Sequence, residues 1–227
     1  MPDFLAFDFG AESGRAMLGR VTPDALVLEE LHRFPNTPVR LPTGLYWDTL
    51  RLFQEIVRGL EIAGRERGLK PAGIGIDTWG VDFGLLGPDG ALTDNPRHYR
   101  DARTNGVPER AYAAVGRERI FAETGVQFMQ LNSLYQLYAA KLAGSPGLEA
   151  AARLLFMPDL FNYWLTGVAK NELTIASTSQ FYNPEKKRWA TELFERFGLP
   201  ASILPAIVPP GTWLGLLLPY VREITGA

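Results

Sequence analysis

The stretch Gly73-Ile-Gly-Ile-Asp-Thr-Trp79 constrains the fold of this chain more than any other. It reads as a buried strand that arrives directly after an amphipathic helix, the pattern of a parallel crossover. The helix is legible in its own right. Asp48 or Thr49 caps it, Leu50, Phe53, Ile56, Val57, Leu60 and Ala63 share one face, and Gly68 and Pro71 end it. Upstream, alternating runs at about 4–9, 14–21 and 25–34 read as an antiparallel meander, followed by a proline-rich loop from Pro35 to Pro42. One sheet that holds both the meander and the crossover strand has mixed pairing. The first hundred residues therefore predict β-β-β-α-β, an α/β core.

Beyond it, Val81-Asp-Phe-Gly-Leu-Leu86, the turn Gly87-Pro-Asp-Gly90 and Ala91-Leu-Thr93 read as a further hairpin, with Asp82 on its solvent face. The second half is mostly helical, with periodic segments near 107–115, 118–124, 132–143, 158–166 and 190–197. Asn132-Ser133 is a candidate cap for the third, and Gly167 is a good residue just past the end of the fourth. The tail Ile207–Leu218 reads as a loop and an apolar strand.

Composition narrows the partners. Apolar residues make up 46% and charged residues 21% of 227, a globular profile, and the net charge of −2 recommends neither nucleic acid nor an anionic membrane. The absence of cysteine excludes a disulfide scaffold, a thiolate metal site and a cysteine nucleophile. The N-terminus carries no basic and apolar leader pattern, and no apolar run approaches the roughly 20 residues of a membrane span. A cytoplasmic location is the expectation.

The residues with the most chemistry lie in Phe4-Leu-Ala-Phe-Asp-Phe-Gly-Ala-Glu-Ser-Gly-Arg15. An apolar strand ends on Asp8, and Gly10 and Gly14 bracket a short turn before the next strand. Glycines there allow positive φ and close approach of a ligand to the backbone. Successive N–H groups aimed into the turn make an anion nest, with the Ser13 hydroxyl as a further donor. The spacing fits neither a Walker loop nor a dinucleotide fingerprint, both of which open a helix. Two readings stay open on these residues alone: a β-hairpin phosphate loop or an ordinary tight turn.

Six segments, in this order, resemble the N-terminal domain of the FGGY carbohydrate kinases, and within that family its rhamnulokinase branch. They are Asp8–Arg15, Gly73–Phe83, Tyr99-Arg-Asp-Ala-Arg-Thr-Asn105, Asn132-Ser-Leu-Tyr-Gln-Leu137, Met157-Pro-Asp-Leu-Phe161 running on to Leu165-Thr-Gly167, and Glu172–Gln180. The resemblance covers essentially the whole chain as one domain, 1–227. It implies an actin-like (ribonuclease H-like) N-terminal domain and transfer of a phosphoryl group from Mg-ATP to L-rhamnulose, giving L-rhamnulose 1-phosphate.

Carried over position by position, Ala11, Glu12, Ser13, Gly14 and Arg15 contact the nucleotide phosphates, Glu12 through its backbone only. Asp8 positions Mg²⁺ or its waters, and Gly80 and Trp79 meet the sugar. Arg100, Asp101, Arg103 and Thr104 read as a self-paired loop. Asp159 reads as a first-turn acid stabilised by the helix dipole, and Asn132, Tyr135 and Gln136 either line the pocket or hold their helix. The family's catalytic aspartate belongs to a His-Asp-Thr motif that opens the C-terminal domain. Neither His32 nor His98 precedes Asp-Thr, and Asp77-Thr78 sits in the sugar-facing strand. No catalytic base is therefore expected in this chain. Its expected partner is the C-terminal domain of the same enzyme, and the chain alone is expected to be inactive. Two other readings remain: a kinase of another ketose or polyol, or a non-catalytic actin-like sugar-binding module.

Overall fold

A computed structural model describes residues 2–227. Strand β1 (Asp3–Phe9) turns into β2 (Ser13–Val21) and β2 into β3 (Leu26–Pro35), antiparallel throughout. A small hairpin, β4 (Val39–Leu41) and β5 (Gly44–Tyr46), occupies part of the expected proline-rich loop. Helix α1 (Thr49–Glu61) begins at Asp48, whose side chain accepts from the Arg51 N–H, and runs on into a π-helical turn at Ile62–Glu66. Strand β6 (Gly73–Thr78) then lies parallel to β1, completing the sheet order β3-β2-β1-β6.

The expected hairpin at 81–93 forms only in part, and the longer pairing of its first strand lies elsewhere. Strand β7 (Phe83–Leu86) is followed by α2 (Val107–Val115), α3 (Arg117–Thr124), α4 (Ser133–Leu142) and α5 (Pro146–Glu149), and pairs with the distant β8 (Arg153–Phe156). Of the nearer pairing there remain the Leu86–Leu92 bridge and hydrogen bonds from the Thr93 N–H to the Leu85 carbonyl at 2.9 Å and from the Gly87 N–H to the Ala91 carbonyl at 2.8 Å. The reason is burial: Leu154, Leu155 and Phe156 are fully buried against β7, and Ala91–Thr93 offers one large apolar side chain.

The chain continues through α6 (Met157–Thr166), β9 (Asn171–Glu172), α7 (Leu173–Ser177), β10 (Tyr182–Asn183), β11 (Arg188–Trp189), α8 (Thr191–Phe197), β12 (Ile207–Val208) and α9 (Pro219–Thr225). The tail strand expected to reach Leu218 is confined to β12, which pairs with β9. Pro209 and Pro210 bring no N–H to a ladder, and Pro219 instead opens α9. No helix among the described residues is long and apolar enough to cross a membrane.

Two cores result. Alternation along β1 buries Leu5, Phe7 and Phe9, onto which α1 brings Leu52, Ile56 and Leu60 and α6 brings Met157 and Phe161. Gly59 allows the close approach of α1, since a Cβ there would lie 2.7 Å from the Phe7 ring. The second core joins β7 and β8 to α2, α4 and α8 around Leu134, Phe156, Phe181 and Phe194. The opposite face of the main sheet is accessible, and pairing register lays it out in rows. Leu28, Gly19, Phe4 and Gly73 form one row, and Glu30, Met17, Ala6 and Gly75 the next. Arg33, Arg15, Asp8 and Asp77 form the row nearest the β1–β2 turn.

Candidate functional site

The β1–β2 turn is held from behind. The Gly10 N–H donates to the Ser13 carbonyl at 2.9 Å. Asn36, just past β3, donates its side-chain amide to the Gly10 carbonyl at 2.8 Å and its backbone N–H to the Glu12 carbonyl at 2.9 Å. With these carbonyls occupied, the amides of Ala11 and Glu12 make no hydrogen bond within the described residues, which suits an anion nest. The glycines serve packing more than dihedral freedom: neither Gly10 nor Gly14 has a positive φ. Gly14 is buried inside the ladder, and a Cβ there would overlap the Phe34 ring. It shapes the hairpin and offers no surface of its own.

Asp8 and Arg15 are brought together, and to each other. Arg15 donates from Nε and Nη2 to Asp8 Oδ2 at 2.8 and 2.6 Å, with both side chains more than two-fifths exposed. Exposed pairs of this kind are worth about 0–1 kcal/mol, so a phosphate for Arg15 and a cation for Asp8 separate them at little cost. No cluster of three metal-ligating side chains exists among the described residues. A hydrated Mg²⁺ does not require one: it keeps several waters and takes one or two carboxylates plus phosphate oxygens. Asp8, with the exposed Asp77 beside it across the ladder, fits that demand.

Because β1 and β6 are parallel, the C-terminal end of β6 delivers Trp79 and Gly80 beside the hairpin. There an aromatic wall has formed. Trp47 lies tilted against Trp79 with centroids 3.9 Å apart and stacks on His98 at 4.1 Å, and His98 meets Tyr99 at 4.4 Å. Asp82 is the hub of this wall, not a solvent-facing residue. Its Oδ2 accepts from Trp47 Nε1 at 2.6 Å, Trp79 Nε1 at 3.0 Å and the Tyr99 N–H at 3.1 Å. Its Oδ1 accepts from Gln136 Nε2 at 2.7 Å. Burial raises the Asp82 carboxyl to about 6 against the pull of these donors and of the Arg103 charge. Burial likewise lowers His98 to about 4, so it is neutral at pH 7, and its Nδ1 accepts from the Arg100 N–H.

The 100–104 loop is only partly self-paired. Asp101 accepts from the N–H groups of Leu45 and Arg103, but the Arg103 guanidinium reaches α4 and donates to Gln136 Oε1 at 2.7 Å. Burial lowers Arg103 to about 10, so it stays charged at neutral pH. Gln136 thus holds its helix and also touches the wall. Asn132 sits at the start of α4 without capping it, donating instead to the Gln127 carbonyl. Tyr135 is fully buried.

Asp159 also departs from expectation. It is buried, and desolvation lifts its carboxyl to about 8, outweighing any help from the start of α6. It lines a cavity of about 500 Å³ between β6, α6 and the Trp213–Leu217 segment, which neither the hairpin nor the aromatic wall touches. Sequence reasoning missed Trp47 and the role of Asp82. The available signal was that two tryptophans carry donors which need an acceptor when buried.

Residues 4–227 match the FGGY family of carbohydrate kinases, N-terminal domain. The chain is 43% identical over 224 residues to a rhamnulokinase of Bacteroides thetaiotaomicron, covering 99% of this chain and 46% of that protein. It is 39% identical to a rhamnulokinase of Oceanobacillus iheyensis, covering 98% and 47%. The chain therefore spans about half the length of the curated relatives it matches. In fold it superposes on the ligand-bound xylulose kinase of Lactobacillus acidophilus with a TM-score of 0.89 at 16% identity, covering 100% of this chain and 46% of that one. It superposes on the Plasmodium falciparum glycerol kinase with ADP with a TM-score of 0.84, also at 16% identity, covering 100% and 47%. The hairpin, the parallel return strand and the family match over nearly every residue lead to one assignment: the chain belongs to the FGGY family of carbohydrate kinases, as its N-terminal domain.

Proposed function

We propose that this chain is the sugar- and phosphate-positioning part of an ATP-dependent kinase that converts L-rhamnulose to L-rhamnulose 1-phosphate. The observation that carries the reading is the meeting of an open-amide hairpin and an aromatic wall at the adjacent C-terminal ends of β1 and β6. The rhamnulokinase relatives supply the choice of sugar.

Phosphoryl transfer depends on positioning and charge neutralisation more than on covalent chemistry from the protein. The amides of Ala11 and Glu12, the Ser13 hydroxyl and the Arg15 guanidinium receive the nucleotide phosphates. Gly14 keeps the hairpin tight beneath them. Mg²⁺, held through Asp8 and water, supplies further neutralisation of phosphate charge. Trp79 offers an apolar face to the sugar carbons, and Gly80 offers its backbone. The group that takes the proton from the attacking hydroxyl is assigned to a C-terminal domain of the same enzyme. A cytoplasmic location accompanies a role in sugar catabolism.

The test compares L-rhamnulose, L-fuculose, D-xylulose and glycerol as substrates of the complete polypeptide that contains this chain, beside the 227-residue chain alone. Preferred turnover of rhamnulose by the former and none by the latter is expected. Efficient phosphorylation by the 227-residue chain, or a clear preference for another substrate, overturns the proposal.

A further inference from the structure

The Gly80–Asp82 segment is strained. Val81 has φ of 69°, a conformation that a β-branched side chain rarely adopts, and the Asp82 N–H donates to the Gly80 carbonyl at 3.0 Å to close a three-residue turn. Such strain persists only where surrounding contacts over-determine it. Here they come from two sides. The Ser133 hydroxyl donates to the Val81 carbonyl at 2.6 Å, and the Asp82 carboxylate is fixed by four donors from four segments of chain.

We propose that Asp82 is the positioning residue of the sugar wall, holding the Trp79 ring and the strained Gly80–Val81 turn in their ligand-facing arrangement, with Gln136 relaying the charge of Arg103 to it. The proposal rests on the sugar-kinase reading for its substrate, but its geometric part stands apart from it. Indole N–H groups only donate, so a pair of indoles needs an acceptor between them. A carboxylate has acceptor capacity for all four donors. An asparagine has one acceptor oxygen, and its amide would face the donating amide of Gln136.

Gln136 has no freedom to turn over and compensate. Its oxygen is committed to Arg103, and its nitrogen also donates to the Leu131 carbonyl at 2.9 Å. The relay Arg103–Gln136–Asp82 therefore joins three sequence motifs that share no local pattern. It gives the buried carboxylate a distant counter-charge without bringing the Arg103 guanidinium itself to the carboxylate.

The test uses the complete polypeptide and its Asp82→Asn and Gln136→Met variants. Circular dichroism reads the coupled signal of the Trp47–Trp79 pair, assigned by its loss in Trp47→Phe and Trp79→Phe. Steady-state kinetics reads sugar and ATP separately. For Asp82→Asn, the coupled signal is lost, the sugar KM rises about tenfold or more, and the ATP KM stays within about twofold, a split that general destabilisation does not produce. Gln136→Met, which leaves three donors on Asp82, gives the same split in weaker form and decides the matter should Asp82→Asn fail to fold. An unchanged coupled signal together with an unchanged sugar KM overturns the proposal. Loss of the coupled signal in a protein that phosphorylates none of the sugars supports the positioning role and removes the kinase reading instead.

Discussion

Asp159→Asn tests whether a buried carboxyl in α6 is protonated in the folded protein at neutral pH. Both oxygens of Asp159 accept from the Glu172 N–H at 3.2 Å, which is meagre compensation for a carboxylate only 3% exposed. Desolvation is the largest influence on it, and the nearby Glu172 charge adds to the upward shift, placing the folded pKa at about 8 against the ordinary aspartate value of 3.8. The native state therefore holds this proton more tightly than the unfolded chain. Its contribution to stability is complete below the unfolded value and is lost progressively as pH rises toward the folded value.

The slope in that window is about 1.4 kcal/mol per pH unit, so between about pH 5 and pH 7 the wild type loses about 3 kcal/mol through this one group. Asparagine keeps the volume and one acceptor for Glu172 but does not titrate. The two proteins should therefore be most alike in stability at about pH 4 and below, with the variant's advantage growing by about 3 kcal/mol, or about 6–12 °C in Tm, between about pH 5 and pH 7. Asp82 titrates in the same direction below about 6. It is present in both proteins, so it cancels in the difference, provided the two distant sites act independently. Urea denaturation of both proteins at several pH values across the window gives the measurement. A stability difference that does not change with pH refutes the assignment of a proton to Asp159.

Three further outcomes follow from the packing and the hairpin. Gly14→Ala drives a Cβ into the Phe34 ring, which packs edge-on against Phe9, and should cost about 1–3 kcal/mol in chemical denaturation. Ile56→Ala opens a cavity under α1 where no exposure exists and should cost about 2–5 kcal/mol by the same assay. Asp8→Asn breaks an exposed pair, so stability should change by less than about 1 kcal/mol. In the complete polypeptide, the same variant should raise the Mg²⁺ concentration needed for half-maximal activity; an unchanged requirement removes Asp8 from the metal's surroundings.

What was legible in the sequence was local and periodic. The meander, the cap at Asp48, the five helical segments and the parallel return of β6 all follow from spacing, glycine, proline and capping chemistry, and all are present. Parallel pairing then carries Asp8 and Trp79 to the same end of the sheet, which no local pattern states. Ligands of open α/β sheets gather outside the carboxyl ends of strands where neighbouring connections leave in different directions. That condition holds here: after β1 the chain turns back as β2, while after β6 it departs through Gly80 toward β7 and the second core.

Asp82 shows why the rest was hidden. Alternation with Val81 and Phe83 assigns it to solvent only if the backbone keeps its period of two. The positive φ of Val81 breaks that period, and the carboxylate swings inward to meet donors from Trp47, Tyr99 and Gln136, partners distant in the chain. A left-handed valine carries no sequence signature, because isolated propensity argues against it. It exists because the assembled wall and the Ser133 hydroxyl hold it. The residue that shapes the proposed sugar site most is therefore the one whose local pattern misleads, and the strain at its neighbour marks the place where tertiary contacts overrule the sequence.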